Sequence, residues 1–268
     1  MVEENLEPTD NTEQNTKQYF KPLSAFGIWF PLVGIAASML VFLIIVVIST
    51  ILKVKLDYTV ITIASLALYS CWGLWALLGW HKNKLNLKNV YNTKGLKTST
   101  LFFVIVAAFI AQVITVIGSL AVGYLTGKEI EGNANDALPA ASDFSVLTVT
   151  MLLILTVIAA PVFEEIMFRS LILDGIYNTL SKLKVNSKMS LIFALSLSSI
   201  LFGMSHVILN IFTGFDVNSL VTLTVTTFFG VYLGYLRIKH QSLTVNTLVH
   251  ASFNAIAMLF ILAAQFAS

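Results

Sequence analysis

An all-α, polytopic transmembrane helix bundle is the fold class this sequence predicts, and three observations predict it. Of its 268 residues 57% are hydrophobic and 11% charged, with a mean hydropathy of +0.84, whereas soluble domains carry about 25% charged residues. Apolar windows long enough to cross a bilayer as a helix, about 20 residues, recur at 27–52, 58–80, 99–125, 145–177, 188–210, 217–237 and 243–267. Basic residues, finally, gather on one side of those windows. The simplest count is seven spans.

Taken in order, residues 1–24 come first and are polar and acidic, with Glu3, Glu4, Glu7, Asp10 and Glu13 among many Asn, Gln and Thr. Such a stretch buries too little apolar surface to order itself, and it lacks the basic start and small-residue cleavage site of a signal peptide. A flexible cytoplasmic tail that stays on the chain is expected, followed by a single transmembrane domain over 25–268. With the N-terminus inside, the inner segments collect Lys17, Lys21, Lys82, Lys84, Lys88, Lys94, Lys97, Lys182, Lys184, Lys188, Arg237 and Lys239. The outer ones hold Lys53, Lys55 and Lys128, and the loop 126–144 carries Glu129, Glu131, Asp136 and Asp143. That bias obeys the positive-inside rule and puts the C-terminus of a seven-span chain outside a cell membrane. His81 and His240 fall in the basic inner segments and read as solvated residues.

Several function classes drop out. There is no Walker loop, dinucleotide fingerprint or cysteine cluster; the single Cys71 lies in an apolar window and reads as a packing residue. The expected partners are the lipid bilayer and a substrate entering from it, not nucleic acid. A transporter is disfavoured because acids and bases do not recur across several spans. Gly230 and Gly234 have the small-xxx-small spacing that lets helices approach closely.

The fourth window breaks the pattern. Glu164 and Glu165 stand side by side within it, with Arg169 one turn on. Ionisable groups at membrane depth are costly, so they face a bundle interior and mark function. Residues four apart share a helical face, so Glu165 and Arg169 are expected to pair. Glu164, about 100° around the helix, points elsewhere and is expected to remain available. Pro161 just before them removes a backbone hydrogen bond and is expected to kink the helix.

The same spacing recurs in Phe202 and His206 of the fifth window and in His250 and Asn254 of the last. Glu164 lies 21 residues before Val185, the centre of the turn between windows four and five, and His206 lies 21 after it. Equal separations in an antiparallel hairpin place the two at one level. His250, some ten residues beyond the Arg237–His240 turn, falls nominally lower, a difference that a protruding turn at Lys182–Lys188 would remove. Each of these polar residues could serve packing alone; three pairs converging on one interior argue for a site.

In order, the pairs are similar to the three motifs of the CAAX-protease and bacteriocin-processing family, the Abi or type II CAAX endopeptidase group. EExxxR is Glu164-Glu165-Ile166-Met167-Phe168-Arg169, FxxxH is Phe202-Gly203-Met204-Ser205-His206, and HxxxN is His250-Ala251-Ser252-Phe253-Asn254. FxxxH and HxxxN are weak alone; all three in order on successive membrane helices are specific. The resemblance covers about 145–267, the protease-like core, and leaves spans one to three as generic apolar helices. It implies an intramembrane endopeptidase without a cofactor, in which Glu164 activates water with help from His206. His250 and Asn254 would stabilise the oxyanion, Glu165 and Arg169 would hold the site together, and Phe202 would pack beside it.

The residues alone leave a metal reading open, since Glu164, His206 and His250 make a carboxylate-plus-two-imidazole zinc set with one open position. The metal-free reading is preferred because no HExxH pair is present and the resemblance points that way. The family's associations run from prenylated CAAX proteins to processing of secreted peptides and bacteriocin self-immunity. A non-catalytic scaffold or immunity protein is the alternative to an enzyme.

Overall fold

The computed structural model describes residues 29–52, 58–82, 90–91, 98–127 and 146–267. The expected tail, the loop 126–144 beyond Gly127 and most of the loop cations counted above lie outside them. Seven long helices fill the described residues, with no strand among them. They are α1 (Trp29–Ile51), α2 (Tyr58–Lys82), α3 (Thr98–Thr126), α4 (146–182), α5 (Ser187–Thr213), α6 (Val217–His240) and α7 (Leu243–Ala267). Each falls on one of the seven apolar windows. Five of them contain a stretch long and apolar enough to span a membrane, while α1 and α2 contribute shorter apolar stretches, Pro31–Ile45 and Ile63–Gly79.

The outward faces agree with a lipid surrounding. Phe102, Phe103, Ile114, Phe228 and Phe260 are among the most exposed side chains. Such a surface is unfavourable in water and unremarkable in a bilayer. Turns are closed by local chemistry: the Asn186 side chain accepts from the backbone N–H groups of Lys188 and Met189 to start α5, and Asp216 with Ser219 forms a capping box on α6.

α4 is the central helix. Every residue from Glu164 to Asn178 is buried, as expected for a helix surrounded on all sides. It is also irregular. Two π-helical segments, Ile154–Ala159 and Ile166–Leu173, flank a short α-helical piece, Ala160–Glu165. The expected disturbance at Pro161 thus takes the form of a wide turn. In that register the Ala160 N–H bonds to the Leu155 carbonyl, five residues back. The next donor in line would be Pro161, which has none, so the Thr156 carbonyl looks to another helix.

The glycines on α6 allow close packing on α5. A Cβ at Gly230 would lie 3.2 Å from both Phe202 Cδ1 and Ser199 Cα, and one at Gly234 would collide with Leu195. On the α5 side, a Cβ at Gly203 would collide with the Thr227 hydroxyl.

One cation is not where the loop count put it. Arg237, expected in an inner loop, is buried in the last turn of α6 and pairs with Asp174 of α4 at 3.1 Å. This contact also corrects the depth of His250. It sets the α6–α7 turn level with Asp174, while α4 runs on to Lys182 before turning into α5. The α4–α5 turn therefore protrudes, and His250 reaches the level of Glu164.

Candidate active site

The α4 carboxylates and the two histidines converge where α4, α5 and α7 meet. Glu165 is fully buried and saturated with partners. Its Oε2 meets Arg169 Nε at 3.3 Å and accepts from Asn246 Nδ2 at 3.3 Å, and its Oε1 lies 3.0 Å from His250 Nδ1. A carboxylate accepts, so Nδ1 of His250 carries the proton in that bond. Glu165 and Arg169 meet as their spacing predicts, although the intervening helix is π rather than α.

Arg169 is held from three sides. Its Nη2 donates to the Gly230 carbonyl at 3.4 Å, and its Cζ lies 4.4 Å from the centre of the Phe202 ring. That ring also meets Phe168 edge-on at 5.2 Å, His206 at 4.7 Å and His250 at 5.8 Å. Phe202 thus packs against the buried arginine and both imidazoles.

Glu164 has a different environment. Its Oε2 faces His250 Nε2 at 3.7 Å, too long for a direct hydrogen bond. Its Oε1 is not free, as the sequence led us to expect: Tyr69 of α2 donates to it at 2.5 Å. His206 lies on α5, with Nδ1 2.9 Å from the Phe202 carbonyl. A carbonyl only accepts, so that nitrogen holds a proton and Nε2 of the neutral ring presents a lone pair. Asn254 donates to the Thr156 carbonyl at 2.8 Å, the group left over beside Pro161. One hydrogen of its amide remains.

Glu164, His206, His250 and Asn254 line one cavity of about 760 Å³, together with Tyr69 and Gln112. Glu165, Arg169 and Phe202 lie behind its wall. Among the described residues, no three His, Cys, Asp or Glu side chains are grouped as a metal site.

Two residues of this centre escaped the sequence reading. Asn246, fully buried, bonds Glu165 and also the Leu233 carbonyl at 2.5 Å. It stands one helical turn before His250, so the stripe Asn246, His250, Asn254 was a usable signal. Tyr69 carried none, being one aromatic among many in an apolar helix.

Residues 146–256 match the family model of the Rce1-like type II CAAX prenyl endopeptidases. The match runs from the start of α4 into α7 and contains all three motifs, so that segment of a multi-pass membrane protein is similar to the Rce1-like, CAAX-protease-type domain. No curated protein and no solved structure matches the chain.

Proposed function

We propose that this chain is a glutamate-type intramembrane endopeptidase acting on a membrane-associated or secreted peptide or protein. The observation that carries the reading is the convergence of Glu164, His206, His250 and Asn254 from three helices on one cavity. In this reading Glu164 Oε2 takes a proton from water as the water oxygen bonds to the scissile carbonyl carbon. His206 Nε2, an acceptor, helps to orient that water. The carbonyl electron pair moves onto oxygen, and the donors facing it are Asn254 and the imidazolium form of His250, anchored through Nδ1 by Glu165. Prealigned donors of this kind stabilise the developing charge of acyl transfer. Collapse breaks the C–N bond, and the proton held by Glu164 passes to the leaving amine. The loop charge bias supports a cytoplasmic N-terminus in a cell membrane.

No metal enters this scheme. The test uses the purified full chain in detergent with prenylated CAAX, pheromone-like and bacteriocin-like peptides. Glu164→Ala is expected to lower cleavage about a thousandfold or more without lowering the melting temperature. Wild-type activity should survive prolonged EDTA or phenanthroline, with well under one equivalent of zinc bound. Stoichiometric zinc, with activity lost on chelation and restored by zinc alone, would overturn the metal-free scheme. Peptide binding without cleavage, unchanged by Glu164→Ala, would replace catalysis by a scaffold or self-immunity role.

A further inference from the structure

All three motifs lie on α4, α5 and α7, inside the matched segment, yet the bond donated to Glu164 comes from α2. An ionised carboxylate only accepts, so the Tyr69 phenol is the donor, in a charge-assisted bond. Its ring is fixed on two sides. It stacks on Phe163 of α4 at 6.3 Å and 15°, and meets Trp72 edge-on at 5.5 Å and 89°. Trp72 is tied in turn to the Ser38 hydroxyl of α1 through Nε1 and packs edge-on against Phe168 at 6.0 Å. Gly73 permits this approach, since a Cβ there would collide with the Phe163 ring. Tyr69 therefore reaches the cavity from α2, held by aromatic contacts to α4 and to Trp72.

We propose that Tyr69 is a positioning residue for the hydrolysis, an inference that rests on reading Glu164 as the base. The terminal torsion of a glutamate is broad and nearly two-fold, so an unrestrained carboxylate exchanges its oxygens. By occupying Oε1, the Tyr69 hydroxyl fixes that torsion and leaves Oε2, the oxygen facing His250, to take the proton from water. The first helices of the chain then contribute to catalysis and not only to the bundle's outer wall.

The experiment is Tyr69→Phe in the purified full chain, which removes one oxygen and keeps the ring contacts. With a peptide that wild type cleaves, kcat is expected to fall about tenfold to a hundredfold. KM should stay within about twofold, and the melting temperature should stay close to wild type. A kcat per folded molecule equal to wild type, whether or not the melting temperature drops, would overturn the assignment. So would a loss expressed wholly in KM, which would make Tyr69 a substrate contact. Both outcomes leave Glu164 as base so long as Glu164→Ala is inactive. Full activity in Glu164→Ala would instead remove the reading on which the inference rests.

Discussion

Glu165 and Arg169 meet at 3.3 Å within the wide-turned middle of α4, and Asp174 and Arg237 meet at 3.1 Å where α4 passes the end of α6. Both pairs are buried, and both match an acid with an arginine. Only the first has a second acid beside it, an imidazole bonded to it and a cavity in front of it. The Asp174 pair joins two helices and lines no part of that cavity. Burial of charge is thus not the mark of the site. What separates the two regions is access: Glu164, His206, His250 and Asn254 open onto a cavity beside the first pair.

The comparison is broken most severely at Glu165. Glu165→Gln leaves Arg169 without its counter-charge and weakens the anchor of His250, and losing one partner of a buried pair costs about 3–5 kcal/mol. It is expected to lower the melting temperature and yield more than Glu164→Gln, and to reduce cleavage as well. If Glu164→Gln proves the more damaging to folding, the roles of the two glutamates are reversed. Asp174→Asn comes next. Arg237 sits in the last turn of α6, where a long side chain can reach the membrane interface, so the expected destabilisation is about 3 kcal/mol, the lower end of that range. Cleavage per folded molecule should not change. A selective loss of kcat in Asp174→Asn would mean that the second pair also serves the reaction. The smallest effect is expected from Gly234→Ala, whose new methyl meets the flexible tip of Leu195. Crowding of this kind costs about 1 kcal/mol, readable as a modest fall in melting temperature with full activity.

Hydrophobic length and motif spacing made the seven helices and the convergence of Glu164, His206, His250 and Asn254 legible in the sequence. They did so because helical rise and periodicity are local rules. What escaped were contacts that cross between distant helices. Arg237 counts as an inner-loop cation by any charge tally, and only the packing of α6 on α4 turns it inward to Asp174. Tyr69 is chemically silent in an apolar run until α2 is brought against α4. The Thr156 carbonyl needed the wide turn before Pro161 to become an acceptor, and α-helical spacing contains no such turn. Asn246 was different: its place one turn before His250 could have been read.

The wide turns of α4 also set how this gene segment tolerates length changes. A π turn holds one residue more than the α-helix around it would need. Deleting a single codon within Ile154–Ala159 would let the helix relax into regular geometry and leave the segments on either side close to their present phase. A one-residue deletion in the regular piece Asp174–Lys182 would instead rotate what lies beyond it by about 100° and change which face of the helix looks at the rest of the molecule. The wide turns are therefore the places in α4 where a residue can be lost with least damage to the register of the helix.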